Sequence, residues 1–453
     1  METPIYDFVQ RYAAAGNVRL HMPGHKGKGV LGVEANDITE VFGADSLYEA
    51  GGIIEKSEQN ASCLFGSGRT FYSAEGSSQC IKAMLFLALM HFRELNGKDF
   101  SQKPVVIAAR NAHKAFLAAA ALLGFEILWL WPGDEEEYSL CRCPVSKEEL
   151  SAALQKVGRA VAAVYLTSPD YLGGLLDIKG LAQAVHQYGT LLLVDNAHGA
   201  YQHFLTPASH PLDLGADLCC DSAHKTLPVL TGGAYLHLGK SVVFSMEAYA
   251  RQALCLFGST SPSYLILQSL DLANRYLEDG YEKRLSECAG RIWKLREKLS
   301  SLGWILSGQE ALKITVDTAK CGYDGREFAQ ILRAGGVECE YADPDFVVFM
   351  FTTENGEDDL KRLLSCFENL AVREAICRRP PSFLPPRRIL SVREAVLSPY
   401  EVLPIREAVG RVMGSATVSC PPAVPVVVSG EEIGEDAAKV LGYYGMDQVA
   451  VVR

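Results

Sequence analysis

Lys225 is the residue with the clearest chemical potential in this sequence. It lies in the segment DSAHKTLPVLTGG at 221–233, beside Ser222, His224 and Thr226. A lysine amine that loses its proton through desolvation or nearby positive charge becomes a nucleophile and condenses with an aldehyde. A single lysine is ordinarily a solvated surface charge, so this interpretation depends on what else the chain supplies.

A carboxylate follows the apolar run LLLV at 191–194. Alternation along a strand places this residue, Asp195, on the same face as Ala197. A carboxylate at the end of a buried strand needs a cation or hydrogen-bond donors, and a protonated pyridine nitrogen would be such a partner. The plainer alternative is that Asp195 only caps a turn or forms a salt bridge.

A candidate phosphate-binding turn precedes the apolar helical pattern in SAEGSSQCIKAMLFLALM at 73–90. Gly76, Ser77 and Ser78 offer backbone N–H groups, hydroxyls and the positive end of a helix dipole. A serine that merely caps the helix is the alternative. A second glycine pattern, GxGxxG at 27–32, precedes no apolar helix and is predicted to be an irregular loop.

The three features occur in one order: phosphate turn, strand-end aspartate, then Ser-x-His-Lys. Together they indicate pyridoxal 5′-phosphate (PLP), held as a Schiff base on Lys225. The metal alternative is weaker, because Cys141-Arg-Cys143 and Cys219-Cys220 are accompanied by no CxxC or HExxH pattern. No metal is therefore expected.

Short apolar runs alternate with helical patterns between about 63 and 238. Strands are predicted at 105–109, 160–167 and 191–197, with helices from His113 and over 178–188. This rhythm predicts an α/β fold with a mainly parallel sheet, covered on both faces, and a ligand site near the carboxyl ends of its strands. The apolar stretch 115–131 is predicted to be a buried helix and a strand rather than a membrane span.

Four parts are predicted along the 453 residues. They are an N-terminal arm over 1–60, a large PLP-binding domain over 61–301, a small α+β domain over 302–377 and a C-terminal segment over 378–453. The large domain is predicted to close with a long helical region over 263–301. The small domain is predicted from the order strand, helix, two strands, helix, and the Pro- and Arg-rich run RRPPSFLPPRR at 378–388 follows it.

The charge balance restricts the partners of the protein. With 43 basic and 54 acidic residues the net charge is −11, which opposes broad contact with nucleic acid or an anionic membrane but tolerates a small cationic substrate. The 13 cysteines show no disulfide spacing. Reduced thiols and the lack of a signal-like opening segment predict a cytoplasmic protein.

With these residues in place, the chain resembles the fold-type-I PLP enzymes and, among them, the short bacterial members of the Orn/Lys/Arg decarboxylase family. The resemblance extends over nearly the whole chain. It rests on HMPGHKGKG at 21–29, DITE at 37–40, ARNAHKA at 109–115, VDNAHGAY at 194–201, DSAHKT at 221–226, TSPSYLILQSLD at 260–271 and PPAVPVVVSGEEI at 421–433.

The resemblance implies a role for each matching residue. Lys225 would form the internal aldimine, Asp195 would meet the pyridine nitrogen, and His113 and Ala197 would contact opposite faces of the ring. The implied phosphate ligands are Ser77, Ser78, Ser222 and His224, joined by Thr260 and Ser261 acting on a neighbouring subunit. His198 is a further candidate cofactor contact, and Glu431 a candidate receptor for the distal cation of a substrate.

Several of these roles have plainer alternatives. His113 could only cap a helix, and His198 could be a satisfied buried histidine. Thr260 and Ser261 could cap the helix that follows Pro262.

The sequence also departs from the family pattern near the expected site. An acidic residue is usual at Asn196, Gln-Ser-Ser at 232–234, and a YPPGIP-like run at 420–425. These departures leave open whether the activity is altered in specificity or weakened.

The expected function is decarboxylation of a basic amino acid, with arginine favoured, agmatine as its product, and lysine or ornithine as other substrates. An aminotransferase or another PLP lyase is the nearest alternative, because arginines such as Arg388 and Arg393 could bind an α-carboxylate. A non-catalytic PLP-binding relative is a further alternative. A homodimer, or a larger assembly with shared active sites, is expected by resemblance.

Overall fold

The computed structural model describes residues 1–97, 103–132, 139, 141–158, 161–377, 380–415 and 425–453. The helices are α1 (Pro4–Ala14), α2 (Ile53–Leu64), α3 (Ser77–Asn96), α4 (Lys114–Leu123), α5 (Lys147–Val157), α6 (Ile178–Gln187), α7 (Ala223–Thr226), α8 (Val243–Cys255), α9 (Tyr264–Glu278), α10 (Tyr281–Ser301), α11 (Gly325–Ala334), α12 (Glu357–Glu368), α13 (Val392–Val396) and α14 (Glu435–Tyr443). The strands are β1 (Arg69–Ser73), β2 (Val105–Ala109), β3 (Glu126–Leu130), β4 (Val161–Thr167), β5 (Leu191–Asp195), β6 (Leu218–Asp221), β7 (Ala234–Leu238), β8 (Leu306–Ser307), β9 (Lys313–Asp317), β10 (Tyr341–Ala342), β11 (Phe346–Met350), β12 (Tyr400–Pro404) and β13 (Gln448–Val452).

The chain divides into two compact units. Unit 1 comprises Met1–Pro104, Ala160–Leu166 and Ile178–Lys283, and unit 2 comprises Val105–Arg159, Thr167–Asp177 and Arg284–Arg453. Each unit therefore combines segments that are distant in sequence. The division of the chain into four parts at 60, 301 and 377 stays a prediction.

Unit 1 is built on strands in the order β1-β7-β6-β5-β4. Strands β5 and β6 are parallel, with Asp195 opposite Cys220. Strand β7 is antiparallel to both β6 and β1, so β1 runs in the same direction as β5 and β6. The carboxyl ends of these three strands, at Ser73, Asp195 and Asp221, consequently meet at one edge of the sheet.

Strands β1, β5, β6 and β7 are buried along their whole length, and β5, β6 and β7 consist largely of apolar residues. Helix α3 packs against β6 and β7, and Ile81, Met84 and Leu85 are among its buried side chains. In a buried sheet the backbone N–H and C=O groups pair with those of neighbouring strands. This pairing fixes the positions of the strand ends. Side chains that follow the strand ends are thus held on a rigid support.

Unit 2 contains a parallel pair, β2 and β3, and an antiparallel sheet in the order β10-β11-β9-β8. Near the end of the chain, β12 and β13 form an antiparallel pair. Apolar side chains from 405–451, including Met413, Val427 and Leu441, form a hydrophobic cluster there. The C-terminal segment therefore has a core of its own.

The mainly parallel α/β fold and the small antiparallel sheet are confirmed. The segment VECEYA at 337–342, the first of the two strands predicted after the helix of the small domain, forms a strand only at Tyr341–Ala342. The Val337 N–H is used at the end of α11, where it donates to the Leu332 carbonyl. The helical region over 263–301 is two helices, separated by a turn at Asp279 and Gly280. Within the described residues, no helix combines the length and the apolarity needed to cross a bilayer.

Candidate functional site

The edge at which β1, β5 and β6 end carries most of the predicted site residues. The 74–76 turn leads from β1 into α3, residues 196–198 follow β5, and α7, which contains Lys225, follows β6. Neighbouring strands that run in one direction present the segments after them to the same space. The sheet therefore brings together three motifs that are up to 150 residues apart in the chain.

Lys225 lies beside a histidine. Its Nζ is 2.9 Å from Nε2 of His198, and the His198 ring is buried whereas Lys225 is half-buried. A lysine ammonium donates a hydrogen bond to the lone pair of a neutral imidazole, so Nε2 of His198 can accept a proton from Nζ of Lys225. The buried His198 ring therefore has a hydrogen-bond partner, the predicted reactive lysine, and its role as a cofactor contact stays a prediction.

Asp195 is buried and receives hydrogen bonds on both carboxylate oxygens. Oδ2 accepts from the Tyr165 hydroxyl at 2.9 Å, and Oδ1 accepts from the Ala197 N–H at 3.2 Å and from the Cys220 thiol at 3.7 Å. These three donors are neutral. A carboxylate has about four lone-pair positions, so Asp195 retains the capacity to bind a charged N–H donor.

Gly76 is the N-cap of α3, so neither Ser77 nor Ser78 caps this helix. Its φ of 71° and ψ of 177° lie in a region that side chains rarely adopt. The turn places both serines in the first helical turn, and the Ser222 hydroxyl donates to the Ser77 hydroxyl at 2.8 Å. Two hydroxyls and a helix N-terminus therefore meet at one point, as a phosphate group requires.

The departure from the family pattern at 232–234 lies against this turn. The Gly76 N–H donates to the Gly232 carbonyl at 2.7 Å, and a Cβ on Gly232 would come within 2.9 Å of the Ala74 carbonyl oxygen. A side chain at 232 would push the 74–76 turn away. Gly232 is consequently what permits the close approach of the two loops in this chain.

His224 is turned toward the same loop. Its Nδ1 lies 2.9 Å from the Gly233 carbonyl. Burial lowers the pKa of His224, the charge of Lys225 lowers it further, and the bond to Gly233 opposes both. A neutral ring that donates from Nδ1 has only an acceptor at Nε2, so a phosphate contact would require the doubly protonated ring.

Asn196, the second departure, pairs with a buried carboxylate. Its amide donates to Asp221 Oδ1 at 2.8 Å, while Nε2 of His210 and of His237 lie 3.0 and 3.2 Å from Asp221 Oδ2. Burial raises the pKa of Asp221, but the two histidines outweigh it and hold that pKa well below its usual range. His210, Asp221 and Cys219 have the residue types of a metal site, yet hydrogen bonds already account for their arrangement.

His113 and Glu431 belong to unit 2. His113 is the N-cap of α4, and its Nδ1 accepts the Ala115 N–H at 3.2 Å, which fixes the ring orientation. Glu431 is buried in a bidentate ion pair with Arg110, with oxygen–nitrogen distances of 2.9 and 2.7 Å. Both oxygens of Glu431 are therefore engaged within the chain, and its role as a substrate contact stays a prediction.

Other predicted residues lie at the surface or outside the described chain. Thr260 and Ser261 are exposed, and because the N-cap of α9 is Ser263 they do not cap that helix. The family departure at 420–424 lies outside the described residues. Arg388 pairs with Glu126, and Arg393 donates to the carbonyls of Ala121 and Leu122 at the end of α4.

Four polar residues that organise these sites were not predicted from the sequence: Tyr165, His210, His237 and Arg110. Tyr165 and His237 stand within apolar strand patterns, VAAVYLT and AYLHL. A polar side chain in the interior of such a strand must find a buried partner, and this was the available signal. His210 and Arg110 lie beside strand ends or in loops, where no such pattern distinguishes them.

The fold, and the residues at the sheet edge of unit 1 where β1, β5 and β6 end, define a class of protein. This class is the fold-type-I PLP-dependent enzymes, in which a lysine follows a strand near a strand-end aspartate. Comparison of sequences assigns the family within this class. The chain belongs to the Orn/Lys/Arg decarboxylase family, because residues 3–321 match its major domain and residues 379–450 match its C-terminal domain. It is accordingly an amino acid decarboxylase by family.

Individual proteins are similar to this chain over most of its length. An arginine decarboxylase of Bacillus subtilis is 26% identical over 96% of this chain and 92% of its own length, and the uncharacterized protein YaaO of that organism is 29% identical over 97% and 94%. The lysine decarboxylase of Francisella novicida has a similar fold, with a TM-score of 0.79 at 16% identity, over 100% of this chain and 81% of that one.

Proposed function

We propose that this chain binds PLP covalently through Lys225 and decarboxylates a basic amino acid, with arginine as the favoured substrate and agmatine as the product. The observation that carries the proposal is that Lys225, Asp195 and the N-terminus of α3 at Gly76–Ser78 meet in unit 1 at one edge of the sheet. Arginine is favoured because full-length relatives bear the name arginine decarboxylase. Lysine and ornithine are the other candidates.

The donors and acceptors at this edge fit PLP. Ser77, Ser222 and the N-terminus of α3 suit a phosphate, and the buried carboxylate of Asp195 suits a protonated ring nitrogen. His113 and Ala197 are the proposed contacts to the ring faces. When bound, PLP supplies an aldehyde for amines and a ring that accepts the electron pair left by carbon dioxide.

His198 would control the proton on Lys225. Nε2 accepts a proton from the Nζ ammonium, which leaves the amine nucleophilic. The same atom can return the proton when Lys225 is displaced by a substrate amine. Because the His198 ring is buried, bulk water competes poorly for this proton.

Glu431 is proposed to receive the distal cation of the substrate only by sharing its oxygens with Arg110. The buried pair of Arg110 and Glu431 has no net charge. The positive charge of Arg110 would therefore weaken the attraction of Glu431 for the cation of a substrate. The choice between arginine, lysine and ornithine therefore has to be measured.

The assembly and the location are also proposals. A homodimer is supported by the exposed apolar side chains of the N-terminal arm, among them Leu20, Val30 and Phe42. Thr260 and Ser261 would then act on the phosphate in the second subunit. A reducing cytoplasm is supported by the cysteines of the described chain, which are free thiols.

One experiment tests cofactor, lysine and reaction together. Purified protein with PLP is incubated separately with arginine, lysine and ornithine, and released carbon dioxide and the amine product are measured. A second sample is reduced with borohydride, and the modified peptide is identified by mass spectrometry. We expect one substrate to release carbon dioxide and the modification to lie on Lys225.

Lys225→Ala serves as the matched variant and should lose both signals. Modification of another residue would overturn the assignment of Lys225. A keto acid in place of an amine would identify an aminotransferase, although Arg388 and Arg393 already bind partners within the chain. No carbon dioxide from any of the three substrates would remove the decarboxylase proposal.

A further inference from the structure

Tyr165 is a buried phenol in the middle of an apolar strand. It lies on β4, its side chain is fully buried, and its hydroxyl is 2.9 Å from Oδ2 of Asp195. A buried hydroxyl requires a hydrogen-bond partner, and here the partner is the carboxylate of the site. The hydroxyl of Tyr165 on β4 therefore has Asp195 as its buried hydrogen-bond partner.

The orientation of the Asp195 carboxylate depends on donors to both oxygens. Oδ1 accepts the Ala197 N–H, which the local turn after β5 supplies, and also the Cys220 thiol, a weak donor. Oδ2 accepts from Tyr165 on β4, next in the strand order to β5. The terminal torsion of an aspartate is soft, so a donor on each oxygen is needed to hold the carboxylate plane.

We propose that Tyr165 is a positioning residue that orients Asp195 toward the protonated ring nitrogen of PLP and so strengthens cofactor binding and the charge on that nitrogen. This inference rests on the proposed function. Tyr165 acts through Asp195 and requires no contact of its own with cofactor or substrate. It was not among the residues that the resemblance to the family implied.

The test is Tyr165→Phe, which keeps the buried ring and removes only the hydroxyl. With one donor fewer, Asp195 is held less firmly, and we expect PLP to dissociate with a constant about tenfold higher, as for the loss of one hydrogen bond to a charged group. A ring nitrogen with less positive charge also raises the proton affinity of the nitrogen linked to Lys225. The pH midpoint of the visible absorption of the bound cofactor should therefore move upward.

Tyr235→Phe is the matched control. Tyr235 lies on β7 in the same unit, is equally buried, and among the described residues its hydroxyl has no hydrogen-bond partner. Loss of this hydroxyl should leave both the dissociation constant of PLP and the absorption midpoint as in the wild type. Equal changes in both variants would show a general effect of removing a buried hydroxyl and would overturn the inference.

The Asp195→Asn background separates positioning from a merely structural role. If Tyr165 acts through Asp195, adding Tyr165→Phe to Asp195→Asn should cause no further shift of the absorption midpoint. Additive shifts, or a Tyr165→Phe protein indistinguishable from the wild type, would overturn the inference alone. A wild-type protein that takes up no PLP would overturn the proposed function and this inference with it.

Discussion

At the scale of single residues, the reactivity of Lys225 depends on what surrounds its amine. His198 provides an acceptor 2.9 Å away, and Ser222 is the N-cap of α7, the short helix that contains Lys225. A lysine is usually protonated at neutral pH, so an adjacent acceptor lowers the barrier to forming the free amine. The His198 side chain is thus predicted to influence rates rather than folding.

Replacing His198 by Asn should slow covalent attachment of PLP to Lys225 and lower kcat by about 100-fold, because a positioned proton acceptor is lost. Stopped-flow absorption measures attachment, and steady-state assays measure kcat over pH. His186→Asn, at a partly exposed histidine paired with Asp217, is the control. Unchanged attachment rates in His198→Asn would show that this histidine does not handle the lysine proton.

At the scale of secondary-structure elements, helix α1 is anchored by a carboxylate from α9. Asp271 Oδ2 accepts the N–H groups of Ile5 and Tyr6 at 2.9 and 3.0 Å, and Oδ1 accepts the Ser57 hydroxyl. A negative group at a helix N-terminus is favourable. Burial nevertheless raises the pKa of Asp271 to about 6, with the three hydrogen bonds opposing this rise.

This shift has a definite sign. Between about pH 4 and 6 the folded chain holds a proton on Asp271 that the unfolded chain releases, so the contribution of Asp271 to stability falls as pH rises through this window. Asp271→Asn does not titrate there. The unfolding free energy of the wild type relative to this variant should therefore decrease by roughly 2 to 3 kcal/mol from pH 4 to pH 7.

Urea unfolding at a series of pH values measures this difference. Asp358→Asn, at a fully exposed position on α12, is the control and should change little with pH relative to the wild type. A relative stability that is flat over the window would contradict the assignment of a raised pKa to Asp271.

Arg110 joins two parts of unit 2 that are distant in the chain. Besides pairing with Glu431, its guanidinium donates to the carbonyls of Pro425 and Val426 and stacks on Trp131, with its central carbon 4.2 Å from the ring centre. Arg110→Lys keeps the positive charge but removes the planar guanidinium that makes the two bonds to Glu431. We therefore expect the unfolding free energy to fall by about 3 kcal/mol. Urea denaturation measures it.

The control for Arg110 is Arg411→Lys, at a partly exposed pair with Glu401. Exposed pairs contribute little, so this change should cost about 0.5 kcal/mol. Equal losses in the two variants would mean that burial and the bidentate geometry of Arg110 do not matter to stability.

At the scale of the whole molecule, the exposed apolar arm is the feature that bears on assembly. Phe42 and Val30 are fully exposed, and Leu20 is nearly so. If the proposed homodimer covers this arm, Phe42→Ser should raise the dimer dissociation constant at least about tenfold, since burying a phenylalanine contributes about 2 kcal/mol. Sedimentation over a concentration series measures this, with Leu95→Ser as an exposed control on α3. A wild type that remains monomeric would remove the dimer proposal.

How much of the molecule was predictable also differs with scale. The strand at 105–109 and the buried helix before β3 were predicted because their apolar character is strong. The strand predicted over 191–197 is also present, but it ends at Asp195. Lys225, Asp195 and Ser77 were singled out by motif order. The partners of these residues were not, because a hydrogen bond between Tyr165 and Asp195 depends on strand order, which no local pattern encodes.

The contact between Gly76 and Gly232 limits how this protein can be re-engineered. A methyl group added at position 76 would meet open space, but the backbone torsion there excludes ordinary residues, whereas position 232 is blocked by the carbonyl of Ala74. Saturation libraries aimed at a new substrate should leave both codons untouched. Diversity is better introduced where the loops face away from this contact.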